Sequence, residues 1–288
     1  MMERTIMNIN NQKTLRKANI KRIAVIVVIL CVCLTAFLLG YPSIYDRQCR
    51  TRIYDDLQKK ITADILKANI VIVQKKTEKQ SEMVTSGSYS VGSSGVIFKK
   101  EGNSYYALTA YHVFDDAADA EWIVIPWGAK SYSDYAKNKE GHVSLEEYYN
   151  QFSRGELIAA DKNYDLAILR FQSEDSLNAL KLSNNNPGKG SRIAVISNPE
   201  GKRFVQTYGV IKSMDYYLFE TKDGLPASRT LKHNAYEAPG SSGSVALNED
   251  MEIVGINIGG ATDAFGRFKF GVMVPCELVN IFIGEQLT

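Results

Sequence analysis

The chain has 288 residues, 45% of them hydrophobic, enough for a packed core, so disorder is excluded as its main state. Its 34 basic and 32 acidic residues leave a net charge of +2, and nothing in that balance calls for a nucleic-acid partner. Four cysteines are few for this length, and none stands at metal-ligand spacing.

The first 22 residues form a basic tail, with Lys13, Arg16, Lys17, Lys21 and Arg22 crowding its end. Ile23 to Leu39 then runs 17 residues without a charge, at the short end of what spans a bilayer. The spacing predicts a transmembrane signal anchor over 23–41, its basic side in the cytoplasm and the rest of the chain extracytoplasmic. Leu38-Leu39-Gly40 departs from the small-residue pattern of a cleaved signal peptide, which favours a retained anchor. Cys31 and Cys33 sit inside this run as small apolar side chains, leaving Cys49 and Cys276, whose separation in space the sequence does not determine.

Ile53, Leu57, Ile61 and Ile65 recur every four residues among polar neighbours, which predicts an amphipathic helix from about Arg50 to Lys67 within a helical stalk over 42–68. Its stripe is suited either to packing on its own domain or to self-association. From Asn69 onward the pattern changes to short β-branched and aromatic runs. They are Ile70 to Val73, Gly95 to Lys99, Tyr105 to Thr109, Trp122 to Pro126, Leu166 to Phe171, Arg192 to Ile196, Phe204 to Ile211, Ile253 to Ile258 and Phe268 to Val274. Many short strands punctuated by Asn186-Pro187-Gly188, Asn198-Pro199-Glu200-Gly201 and Asp223-Gly224 predict an all-β sandwich or barrel over 69–288. Gly128 to Glu156 breaks the rhythm: rich in Tyr and charge, it contains the capping box Ser144-Leu145-Glu146-Glu147 and reads as a solvated insertion.

Three segments carry candidate chemistry. His112 directly follows the apolar strand Tyr106 to Ala110, whereas His142 falls in the insertion and His233 in a stretch without strand pattern. Imidazole suits the role of base because its ordinary pKa lies near neutrality. Asp165 opens an apolar run, where a carboxylate needs a hydrogen-bond donor such as the His112 Nδ1–H, with Asp161 as the decoy in the same loop. Ser242 lies in Gly240-Ser241-Ser242-Gly243-Ser244, where glycines allow a tight turn and the Gly240 and Ser242 amides can converge on an oxyanion. His, Asp, Ser is one of the chain orders in which a hydrolytic triad is built. Gly92-Ser93-Ser94-Gly95 has similar composition but precedes the His, and is read as a strand-entry loop. Gly188-Lys189-Gly190-Ser191 lacks phosphate-loop spacing.

Thr109-Ala110-Tyr111-His112, Asp165-Leu166-Ala167-Ile168, Gly240-Ser241-Ser242-Gly243-Ser244 and Val254-Gly255-Ile256-Asn257 together resemble the motifs of bacterial trypsin-like serine proteases. The similarity runs from about Asn69 to Pro275, and Asn198-Pro199-Glu200-Gly201 resembles a loop of HtrA/Deg proteases. It implies two six-stranded β-barrels of chymotrypsin type and a membrane-anchored serine endopeptidase acting on protein or peptide substrates without a cofactor. His112 would be general acid and base, Asp165 its orienting partner, and Ser242 the acyl-enzyme nucleophile. Tyr236, Ile256, Asn257 and Ile258 would line the primary specificity pocket.

Departures from the family pattern shape further expectations. With 46 residues after Ser242, no PDZ domain of the HtrA/Deg kind is expected. Asn257 replaces a glutamate-reading His of the similar glutamyl endopeptidases, and Tyr236 is not acidic, so the preference expected is for uncharged, small or medium apolar side chains before the cut. Ser241 and Ser244 leave open an oxyanion hole that forms only with ligand. The competing reading is a silent or ligand-activated pseudoprotease that binds peptides or partners; a third is a β-rich envelope scaffold unrelated to proteases.

Overall fold

The computed structural model describes residues 54–81, 84–114, 120–137, 139, 141–213 and 229–287. The basic tail and the expected anchor at 23–41 lie outside them, as does Cys49. Among the described residues no helix is long and apolar enough to cross a membrane. Asp56–Thr288 form one compact unit.

Two helical pieces come first, α1 (residues 54–60) and α2 (Ala63–Leu66). The expected single helix is therefore interrupted, at Thr62, whose backbone is extended (φ −88°, ψ 173°). Leu57 is fully buried, and Ile61 and Ile65 pack against the cluster that joins the two halves of the domain. Burial of the stripe on its own domain thus prevails over one continuous helix. Arg192 ties this segment down, donating from Nη1 and Nη2 to the Asp56 carboxylate at 2.9 and 2.8 Å and from Nε to Glu249 at 2.8 Å.

The first barrel is built from β1 (Asn69–Ser81), β3 (Ser93–Glu101), β4 (Ser104–Ala110), β5 (Ala120–Pro126), β6 (Ser153–Asp161) and β7 (Leu166–Gln172). Its order is β1-β3-β4-β7-β6-β5, closed by β5 pairing back onto β1, and β2 (Val84–Tyr89) extends outward as a hairpin with β1. The second is the closed barrel β10-β13-β12-β11-β8-β9, from β8 (Arg192–Ser197), β9 (Val205–Ser213), β10 (Leu231–His233), β11 (Val245–Leu247), β12 (Ile253–Thr262) and β13 (Phe268–Pro275). The result is two closed six-stranded antiparallel barrels, as expected. Strands β2, β6 and β10 had no signal of their own: β2 is polar and small, β6 faces outward along much of its length, and β10 spans three residues.

Leu108 and Ile168 of the first barrel, Ile196, Ile256 and Val274 of the second, and Phe282 of the C-terminal helix α5 (Cys276–Gln286) form one continuous core between the barrels. Cys276, at the start of α5, is buried, and its Sγ donates to the Asn185 carbonyl at 3.2 Å. The 128–156 segment is no solvated excursion. Its helices α3 (Tyr132–Ala136) and α4 (Leu145–Tyr149) close around Tyr148, which is fully buried and meets the rings of Tyr132, Tyr135, Tyr149 and Phe152 edge-on. Tyrosines that read as surface polarity form this subdomain's core, since a ring can be buried while its hydroxyl finds an acceptor: Tyr148 donates to the Lys130 carbonyl at 2.7 Å and Tyr132 to the Val143 carbonyl at 2.6 Å.

Phe282→Ala removes a fully buried ring from the core shared by both barrels and is expected to lower unfolding free energy by about 3–5 kcal/mol, read from the denaturant midpoint at unchanged slope.

Candidate active site

The register of β4 on β7 assembles half the site. Ala110 pairs with Leu166, so the 3-10 turn Tyr111–Phe114 that follows β4 lies beside the residue that precedes β7. His112 Nδ1 meets Asp165 Oδ2 at 2.8 Å, and the His112 backbone N–H donates to Asp165 Oδ1, also at 2.8 Å. Asp165 adopts a left-handed conformation (φ +52°), a local strain that turns its carboxylate back toward the ring. Asp161 is occupied otherwise: its Oδ1 accepts from the Asn163 and Tyr164 amides and closes the turn.

Ser242 comes from the second barrel, and His112 Nε2 lies 2.8 Å from its Oγ. This arrangement fits the ring tautomer in which Nδ1–H donates to Asp165 and the Nε2 lone pair accepts from the serine hydroxyl. The turn carrying Ser242 is seated directly on the first barrel. A Cβ at Gly243 (φ +80°) would strike Thr109 Oγ1 and the Ser94 carbonyl, so no other residue lets the two barrels approach this closely. Ser94 N–H donates to the Ser242 carbonyl at 2.9 Å, and Ser94 Oγ donates to the Gly240 carbonyl at 2.8 Å.

The turn is also clamped from the 198–204 loop. Asn198 Nδ2 donates to the Ile70 carbonyl at 3.1 Å, its Oδ1 accepts from Phe204 N–H at 2.9 Å, and Glu200 N–H donates to the Pro239 carbonyl at 2.8 Å. Among the described residues neither the Gly240 nor the Ser242 amide donates a hydrogen bond, which leaves both for an incoming oxygen. The two departing serines support the turn: Ser241 Oγ accepts from Ala238 N–H at 3.3 Å, and Ser244 Oγ accepts from Asn257 Nδ2 at 2.8 Å.

Beside Ser242 opens a pocket of about 290 Å³ lined by Glu237, Ala238, Pro239, Ser241, Ser242, Gly259, Gly260, Ala261, Thr262 and Phe268. The side chains expected to line it lie elsewhere. Tyr236 is 45% exposed and packs its ring edge-on against Phe268 at 5.4 Å, while its neighbour Glu237 is buried. Ile256 and Ile258 belong to the core between the barrels. Asn257 is fully buried under the Ser242 turn, where its Oδ1 accepts from His233 Nε2 at 3.0 Å. The cause is positional: β12 reaches the pocket only past a bulge between Asn257 and Gly259, and side chains one residue apart face opposite ways. The expectation of a pocket without an acid is corrected with it. A larger cavity of about 500 Å³ on the first barrel, lined by residues such as Trp127, Phe152 and Leu177, includes none of His112, Asp165 and Ser242.

A model of the trypsin-like peptidase domain matches residues 92–256, which contain His112, Asp165 and Ser242. The chain belongs to the trypsin-like peptidase family. It is 25% identical over 198 residues to serine protease Do-like HtrB of Bacillus subtilis, covering 67% of this chain and 38% of that protein. It is 28% identical over 181 residues to serine protease Do-like HtrA of the same organism, covering 62% and 34% respectively. The chain thus spans little more than a third of these relatives. The crystal structure of the inactive form of Rv3671c from M. tuberculosis, a serine-to-alanine mutant, superposes with a TM-score of 0.54 at 14% identity, over 79% of this chain and 90% of that one, and shares the fold.

Ser94, read as part of a strand-entry loop, and the buried pair His233 and Glu237 also lie at the site without having been singled out for it. For Glu237 the available signal was a lone acid directly before the glycine turn. Burial pushes its carboxyl well above the ordinary value of 4.5 and pushes His233 down to about 4. Unfolded, the carboxyl ionises near 4.5; folded, it holds its proton to higher pH, so the folded state loses ground as pH rises above that value. Glu237→Gln is expected to raise the melting temperature at pH 7–8, with the gain closing as pH falls below about 4.5, measured by calorimetry across that range.

Proposed function

We propose that this chain is a serine endopeptidase in which Ser242, His112 and Asp165 act as the catalytic triad. The observation that carries the reading is the continuous relay of 2.8 Å contacts from Asp165 through His112 to Ser242, made between two barrels and beside two unengaged amides. Ser242 Oγ attacks the scissile carbonyl as His112 Nε2 takes its proton. The tetrahedral oxyanion accepts from the Gly240 and Ser242 amides, each contributing about 3 kcal/mol to the lowering of the barrier. His112 then gives the proton to the departing amine, leaving an acyl ester on Ser242. Water, deprotonated by the same ring, releases the acid. Asp165 fixes the ring and stabilises its protonated form. The similar Bacillus subtilis proteins HtrB and HtrA are themselves named serine proteases.

A fluorophosphonate probe, which reacts with an activated serine, is expected to label the full chain and to leave Ser242→Ala and His112→Ala unlabelled. Asp165→Asn should slow labelling on the order of 10³- to 10⁴-fold. A folded wild type that stays unlabelled would overturn the proposal.

The reading includes an anchor over 23–41, supported by the uncharged run and the basic residues before it. This places the peptidase domain on the extracytoplasmic side and the N-terminus in the cytoplasm. Full-length protein made in a bacterial host should stay with membranes through an alkaline carbonate wash, while its domain is digested by protease added to spheroplasts. Release into the wash, or protection of the domain, would count against it.

A further inference from the structure

We infer that Arg203 is a positioning residue for the Gly240 amide, keeping it aimed at the oxyanion by tying the 198–204 loop to the segment 128–156. The inference rests on the peptidase reading above and adds to it a side chain that never touches substrate.

The tie begins at a buried ring. Arg203 Nη2 donates to the Tyr148 hydroxyl at 2.8 Å and Nη1 to the Lys130 carbonyl at 3.4 Å, and the guanidinium carbon lies 5.9 Å from the centre of the Tyr148 ring. Tyr148 is itself held in place, fully buried and donating to that same carbonyl. A planar guanidinium that meets two oxygens and a ring face of one packed segment is fixed in direction as well as in distance, which a lysine ammonium would not be. The residue after it is anchored alongside: Phe204, with Tyr149 and Phe152, packs against the cluster of Val71, Val73, Ile123 and Ile125.

What the tie holds is a strained loop. Glu200 (φ +54°) and Phe204 (φ +56°) are two of the four non-glycine residues with left-handed backbone among the described residues, and such angles persist only where the surroundings enforce them. On its inner side the loop is held by Asn198, whose Oδ1 accepts from Phe204 N–H. Its outer side rests on Arg203.

From the loop the constraint reaches the site through one peptide unit. Glu200 N–H donates to the Pro239 carbonyl at 2.8 Å. That carbonyl and the Gly240 N–H belong to the same planar trans peptide, so they point in opposite directions and rotate together. Fixing one fixes the other. Gly240 also leans on the loop directly, since a Cβ there would strike the Asn198 carbonyl. Without Arg203 the loop relaxes toward ordinary backbone angles, Glu200 draws away, and the peptide between Pro239 and Gly240 is free to turn. The contacts among His112, Asp165 and Ser242 do not pass through this route. An oxyanion donor acts in the transition state, so its loss slows the chemical step and leaves substrate affinity nearly unchanged.

The test compares the full chain with Arg203→Met, Arg203→Lys, Tyr148→Phe and the double variant Arg203→Met/Tyr148→Phe, on a fluorogenic peptide selected with the wild type from a random library. Fluorophosphonate titration to completion first counts the reactive serines, so that every rate is expressed per competent site. Arg203→Met is expected to lower kcat about 10- to 100-fold with KM held within about threefold, Tyr148→Phe to act in the same direction, and Arg203→Lys to restore part of the loss. Because both substitutions cut one tie, the double variant should be no slower than Arg203→Met. A purely structural role predicts fewer titratable sites with wild-type kcat at each, and that result overturns the assignment while leaving the peptidase reading standing. A raised KM at unchanged kcat does the same. A wild type that neither labels nor cleaves overturns the peptidase reading, and the Arg203 assignment with it.

Discussion

Contact between the Ser242 turn and Ser94 governs the rest of the site. Ser242 belongs to one barrel and His112 to the other, so 2.8 Å between His112 Nε2 and Ser242 Oγ demands that two separately closed sheets meet with sub-ångström definition. Ser94 supplies that definition by donating from its backbone to the Ser242 carbonyl and from its hydroxyl to the Gly240 carbonyl. Gly243 makes the approach sterically possible, and Asn198 links the same serine to β1 through its side-chain amide. The Asn198 bonds are buried and the Ser94 Oγ bond partly so, and away from water each is electrostatically stronger and its loss correspondingly more disruptive.

The large apolar cluster between the barrels does the complementary work. It supplies the burial that holds the halves together, but burial is nearly indifferent to rotation and sliding. Directed hydrogen bonds at the cleft select one relative placement from the many that would bury similar area. Arg192, anchoring the segment before β1 through Asp56, adds a tie at the surface, where exposure and screening keep its worth small.

Beneath the same turn the molecule keeps groups that weaken it. His233 is buried in a state that resists protonation, and Glu237 in one that resists ionisation. Ser244, Asn257 and His233 form a hydrogen-bonded file that ends at Glu237 without closing on it. A core selected for stability alone would fill this position with an apolar side chain.

Strand runs with period-two or continuous apolar character were legible in the sequence, because side-chain burial in a barrel imposes that pattern locally. His112, Asp165 and Ser242, with the glycines of the turn, also stood out in the sequence, and the structure brings the three side chains within hydrogen-bond distance. Short or outward-facing strands such as β6 and β10 were not legible, since their place comes from neighbours that pair with them. Nor were the aromatic core of 128–156 or the break at Thr62, both settled by what packs against them. The pocket shows the limit most plainly. Tyr236 and Glu237 are adjacent in the chain, yet which one faces inward depends on a turn and a bulge that no local pattern encodes. By itself, then, the sequence determined the chemical groups and the strands that carry them. Only the tertiary structure decided which groups meet, because register, bulges and close backbone approach are properties of paired strands and packed barrels, not of any segment alone.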